Sequence, residues 1–137
     1  GTVRCFDMEQ RAKIEQRLRD AINATCLLHG LESHLDYRVS YPATINDPRH
    51  AEVCADVLAQ VLGEGKVQRD LKPSMASEDF SFMAEKCPGV YIWLGNGEDS
   101  ASLHNPKYDF NDANLPLGVR YWVELVGALL REGKLPA

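Results

Sequence analysis

The residue best suited to chemistry in this chain is His104, set in the polar stretch Leu103-His104-Asn105-Pro106. Neutral imidazole is a good ligand for zinc and similar ions, and the Asn-Pro pair that follows restricts the backbone around it. One imidazole does not make a catalytic zinc site, which takes about three protein ligands and an open position. The plain alternative is a solvated histidine in a turn. A second candidate is Ser77-Glu78-Asp79-Phe80, where Ser77 is expected to cap a short helix with Glu78 and Asp79 in its first turn. Such a start presents free N–H groups to an anion, for instance a substrate carboxylate, and its acids could orient a neighbouring ligand. The alternative there is an ordinary N-cap.

Other candidates carry less. His29, His34 and His50 fall at a helix end, a turn and a helix start, and read as structural or solvated. Asp109 and Asp112 suit a loop or a cap. Cys5, Cys26, Cys54 and Cys87 contain no CxxC pair, which excludes a zinc ribbon or a thioredoxin-type centre and leaves four free thiols suited to a reducing compartment. Gly95-Asn96-Gly97 lacks the GxGxxG spacing of a dinucleotide loop, and no GxSxG elbow is present.

The elements that must position these residues follow from periodicity and punctuation. Gly1 to Phe6 reads as a short strand. Asp7 is a candidate N-cap with Gln10 three residues on, and Ile14, Leu18, Ala21, Ile22, Thr25 and Leu28 recur at helical spacing, so a helix is predicted over 8–29, stopped at Gly30. Leu35, Tyr37, Val39 and Tyr41 alternate with Asp36, Arg38 and Ser40, a half-buried strand ended by Pro42. Asp47-Pro48 marks the next helix start, with Val53, Cys54, Val57, Leu58, Val61 and Leu62 as its apolar stripe and glycines 63 and 65 closing it. A short strand is expected over 66–71. Val90-Tyr91-Ile92-Trp93-Leu94 is a continuous apolar run, as expected of a strand covered on both faces. A long irregular loop then carries His104. A last helix is predicted over 113–131, with Val119, Trp122, Leu125, Val126, Leu129 and Leu130 as its stripe.

With 137 residues, the chain is expected to hold enough core for about one domain. Twenty acidic against 15 basic residues give a formal charge of −5, which excludes binding to nucleic acid or anionic membrane by bulk charge. The first 46 residues hold six of each sign, so the excess acid lies after them. No apolar run reaches the ~20 residues of a membrane span, and the start lacks the basic and apolar regions of a signal peptide. A cytoplasmic piece of a longer protein is the expectation.

Several segments together are specific. Gly1-Thr2-Val3-Arg4-Cys5-Phe6-Asp7, Tyr41-Pro42-Ala43-Thr44-Ile45-Asn46-Asp47, Met75-Ala76-Ser77-Glu78-Asp79-Phe80, Pro88-Gly89-Val90-Tyr91-Ile92-Trp93-Leu94-Gly95-Asn96-Gly97 and Leu103-His104-Asn105-Pro106-Lys107-Tyr108-Asp109-Phe110-Asn111-Asp112 occur in that order. They closely resemble the C-terminal part of M20 family metallo-amidohydrolases, in the branch of hippurate, N-acyl-amino-acid and auxin-conjugate hydrolases. The resemblance implies an α/β fold. Residues 1–46 would be the last strand–helix–strand of a ferredoxin-like α+β lid, the usual dimerisation domain, and 47–137 the C-terminal part of a zinc-peptidase-like catalytic domain.

It also implies amide hydrolysis of N-acyl amino acids assisted by two divalent ions, zinc first among zinc, manganese, cobalt and nickel, with a glutamate as base and then acid. Of the family's ligands only the last histidine maps here, at His104; Ser77, Glu78 and Asn105 map beside the site as substrate-binding residues. The Cys-x-His, Glu-Glu and inner His segments, with the general base, would lie upstream of Gly1. The isolated chain is therefore expected to be inactive and to hold metal weakly or not at all, its partners being the rest of the polypeptide, a second copy through the lid, and the substrate. The alternative is a free-standing module that binds a small acid or dimerises without catalysis.

Overall fold

The computed structural model describes residues 1–131, which form four α-helices and one 3-10 turn. They group into two compact units: Gly1–Ile45 with Lys72–Pro88, and Asn46–Leu71 with the chain from Gly89 onward. Segment 72–88 thus groups with the first 45 residues, whereas the sequence expectation divided the chain at residue 46.

In the first unit, α1 spans Met8–Leu28. Asp7 caps it by accepting from the Gln10 N–H at 2.7 Å. The following segment folds back beside the helix: Ser33 Oγ donates to Asn23 Oδ1, and Arg19, gripped by Glu15 at 2.6 Å, donates to the Leu35 carbonyl at 3.4 Å. The half-covered face of α1 is therefore Arg11, Glu15, Arg19, Ile22 and Cys26. The expected apolar stripe is covered only in part: Ile22 is half-buried, Ile14 and Leu18 are each 36% exposed, and Leu28 is four-fifths exposed.

In the second unit, α2 (Pro48–Leu62) and α4 (Asn114–Arg131) pack on each other. Asp47 and Pro48 start α2 as the sequence predicts, Asp47 accepting from the His50 N–H at 2.9 Å and from His50 Nδ1 at 2.7 Å. Gly63 ends it at φ 93°, a left-handed turn that a Cβ would strain. The core is Cys54, Val57, Val61, Tyr121 and Leu125, with Val90 and Ile92 laid against it. Burial pushes the Tyr121 hydroxyl well above its ordinary pKa, and its hydrogen bond with Cys54 adds to the effect. Leu125→Ala is expected to destabilise this unit by about 2–5 kcal/mol, the usual cost of a core cavity, read as a lower urea midpoint by circular dichroism.

No β-strand forms among the described residues, which corrects the strands expected at 1–6, 35–41, 66–71 and 90–94. Alternation fixes which side chains share a face, but a strand also needs a neighbour at about 4.8 Å to take its backbone bonds. None of these segments finds one among the described residues. The alternation itself survives in part: Leu35 and Tyr37 are half-buried between exposed Asp36 and Arg38, while Val39 and Tyr41 lie open. Segment 90–94 is covered on one face only, Val90 and Ile92 inward and Trp93 outward at 61% exposure. The Asn46 side chain stands in for the missing ladder there, accepting from the Tyr91 N–H at 2.8 Å and donating to the Tyr91 carbonyl at 2.9 Å. At 66–71, Arg69 ties the chain to Glu52 and Asp56 of α2 and to Glu64 at 2.9–3.2 Å.

The N-cap of α2 gives a pH prediction. The backbone bond from His50, then its side-chain bond, hold the Asp47 carboxyl below its ordinary value of 3.8. A carboxyl depressed on folding stabilises the fold fully above that unfolded value and loses its contribution as pH falls through the lower, folded one. Asp47→Ala should lower the thermal midpoint at pH 7, and its deficit should shrink below pH 3.8. A deficit independent of pH would contradict the capping role.

Candidate functional site

His104 sits in the second unit, in the loop between segment 90–94 and α4. Its φ is 64°, and it is the one non-glycine residue in the left-handed region among those described. That conformation costs an L-residue about 1–2 kcal/mol. The ring is exposed, and neither ring nitrogen has a hydrogen-bond partner among the described residues. An exposed imidazole with a free ring nitrogen can serve as a metal ligand or as a hydrogen-bonding contact.

The loop is held at its neck. Asn96 Nδ2 donates to Ser100 Oγ at 2.6 Å and to the Asp109 carbonyl at 2.7 Å, while Asn96 Oδ1 accepts from the Asn111 N–H at 2.8 Å. Buried Asn114, at the start of α4, donates to the Gly95 carbonyl at 3.0 Å. Gly97 follows at φ 108°, turning the chain sharply away from the neck. Turns continue up to His104 and beyond it, with Asn105 N–H to the Ser102 carbonyl at 3.2 Å and Tyr108 N–H to the Asn105 carbonyl at 2.9 Å. The Asn105 side chain closes a local turn by accepting from the Lys107 N–H at 2.9 Å. Its place beside His104 is thus set by the backbone it folds.

Ser77 and Glu78 belong to the first unit. The expected cap at Ser77 is corrected: helix α3 spans Phe80–Ala84, its N-cap is Asp79 without a side-chain capping bond, and Glu78 precedes the helix. The first N–H groups are engaged locally, Ser81 to the Glu78 carbonyl at 3.2 Å, Phe82 to the Asp79 carbonyl at 3.0 Å, and Phe80 to Glu78 Oε1 at a long 3.5 Å. The physical reason is length: a five-residue helix satisfies its own first amides with the two residues before it. Ser77 itself is exposed.

A depression of about 480 Å³ opens on the same loop, with Asn96, Glu98, Asp99, Lys107, Asp109 and Asp112 in its wall. Four carboxylates against one ammonium make its wall net acidic, and His104 does not line it. No group of three or more metal-ligating side chains occurs among the described residues. The donor set fits one coordination position, at His104, and not a complete centre.

The residue that sequence reading missed is Asn96. An asparagine between two glycines at the foot of a long loop was the available signal, since its side chain can bind backbone on both sides of a neck.

The sequence model of peptidase family M20/M25/M40 matches residues 8–128. The chain belongs to that family. Among relatives, the hippurate hydrolase of Campylobacter jejuni is 30% identical over 124 residues, covering 90% of this chain and 32% of its own length. The N-acetyldiaminopimelate deacetylase of Streptococcus sanguinis is 32% identical over 120 residues, covering 87% and 31% respectively. The N-acetylcysteine deacetylase of Bacillus subtilis is 27% identical over 131 residues, covering 95% and 33%. The chain therefore spans about a third of the length of the curated M20 relatives it matches. No solved structure gives a significant match. No helix among the described residues is long and apolar enough to cross a membrane.

Proposed function

We propose that this chain is the C-terminal third of a metal-dependent M20 amidohydrolase that cleaves the amide bond of N-acyl amino acids, hippurate-like acids among them. Residues 1–46 belong to its lid and 47–137 to its catalytic domain. The observation that carries the reading is His104: the family match runs across it, and its imidazole is exposed, unpartnered among the described residues and fixed on a left-handed turn. The relatives' names, a hippurate hydrolase and two deacetylases, share one reaction type, removal of an acyl group from an amine.

His104 would supply one nitrogen to one of two divalent ions, zinc first, with manganese, cobalt or nickel as alternatives. When bound, such ions polarise the scissile carbonyl and make water a nucleophile near neutral pH. The general base and the other ligands come from the rest of the polypeptide, so the isolated chain is inactive. Ser77, Glu78 and Asn105 are the proposed substrate-side residues, Glu78 being half-buried and the other two exposed. The large apolar side chains left open on both units, Leu27, Leu28, Trp93 and Trp122 among them, support covering partners: the remaining polypeptide, and a second copy at the lid. A panel of N-acyl amino acids offered to the intact protein, with and without chelator, tests the reading. Chelator-sensitive release of free amino acid is expected. Hydrolysis indifferent to exhaustive chelation, or none on any member, would contradict it.

A further inference from the structure

Loop 97–110 departs from one short stretch of chain and returns to it. At that neck a single side chain bonds both strands of the crossing. Asn96 gives one N–H bond to Ser100 Oγ, four residues on in the outgoing limb, at 2.6 Å and the other across the neck to the Asp109 carbonyl at 2.7 Å, and it receives the Asn111 N–H from the returning limb at 2.8 Å. Asn111 returns the contact with a longer bond, Nδ2 to the Asn96 carbonyl at 3.4 Å. Asn96 is half-buried; its bond to Ser100 is partly buried, while those to Asp109 and Asn111 lie exposed. Between the clasped ends stands His104, whose left-handed φ of 64° is a conformation that surrounding structure has to enforce. The turns at Ser102–Asn105 and Asn105–Tyr108 connect it to the neck without any helix or strand to lend stiffness.

We infer that Asn96 is a positioning residue for His104: its amide clasps the two ends of the loop and thereby sets where the imidazole is presented. Two donors and an acceptor on a two-carbon stem are needed, and aspartate lacks the donors while alanine lacks everything. The inference rests on the reading of His104 as a metal ligand. Asn96 acts through the loop backbone and touches neither ring nitrogen.

The test uses the intact protein, with zinc affinity measured by competition against a chromophoric chelator and loop protection measured by amide hydrogen exchange. Asn96→Ala is expected to weaken zinc binding by about 10- to 100-fold, the usual cost of losing a group that orients a ligand, and to speed exchange of the Asn105, Tyr108 and Asn111 amides. Leu125→Ala, a core lesion far from the neck in sequence, should lower the melting temperature yet leave affinity within about two-fold below its transition. That contrast separates positioning from plain destabilisation. Asn96→Asp keeps the shape and the acceptor, and is expected to weaken zinc binding in the same way; it decides the matter if the alanine variant does not fold. Unchanged affinity in either folded variant, with His104→Ala still losing zinc, overturns the inference and leaves the ligand reading intact. Unchanged affinity in His104→Ala overturns both.

Discussion

Replacing His104 by glycine in the intact protein should lower hydrolysis of N-acyl amino acids by more than about 100-fold, beyond what losing an outer-shell partner costs, while leaving the fold as stable or slightly more so. Glycine is the informative choice because of the backbone. His104 holds φ at 64°. Alanine would inherit that strain, whereas glycine releases about 1–2 kcal/mol of it and gives back part through the entropy of its unfolded chain. If His104 were only a turn residue, its glycine variant would be neutral or stabilised in every respect. As a ligand, it must lose activity and metal while gaining or holding stability. Partial rescue by excess zinc should accompany the loss, because the other ligands persist. A glycine variant with wild-type rate and metal content would remove His104 from the mechanism.

The second large effect concerns Trp122. It lies 59% exposed on α4, in line with Leu115, Val119, Val126 and Leu130, all of them open. In the isolated chain its main neighbour is the ring of Tyr121, with centroids 5.2 Å apart. Trp122→Ala should therefore cost the isolated chain no more than about 1.5 kcal/mol, the scale of an aromatic pair. In the intact protein, where the proposal buries that stripe, the same change should cost about 3–5 kcal/mol. Urea denaturation of both forms reads the difference. Equal costs would mean that the outer face of α4 is a free surface in the whole protein as well.

That contrast also shows what the sequence could and could not convey. Helix positions were legible because their signals are local: Asp7, Asp47-Pro48 and Gly63 act within a turn of themselves, and the predicted 8–29 and 113–131 match Met8–Leu28 and Asn114–Arg131 closely. Which face of α4 is covered was not legible in the same way. The helix is apolar on two sides, Tyr121 and Leu125 against α2 and Trp122 and Val126 away from it, and periodicity reports apolar residues without saying which neighbour this chain provides. The strands failed for a related reason, since their pairing is non-local and no pairing partner occurs among the described residues. At the site, His104 was legible as a residue type in a turn-rich loop. Its left-handed backbone was not, being a property of the folded loop, nor was the Asn96 clasp, which joins segments about 15 residues apart in sequence. Ser77 was misread as a cap because a Ser-Glu-Asp run suits a helix of ordinary length, and α3 has only five residues.

The most direct measurement is elemental analysis of metal per chain in the intact protein, alongside the same protein carrying His104→Gly and alongside the isolated 137-residue chain. The proposal predicts up to two ions per intact chain, at least one lost in the variant, and none retained by the isolated chain after gel filtration. Full metal content in the His104 variant, or no metal at all in an intact protein that still hydrolyses N-acyl amino acids, would contradict it.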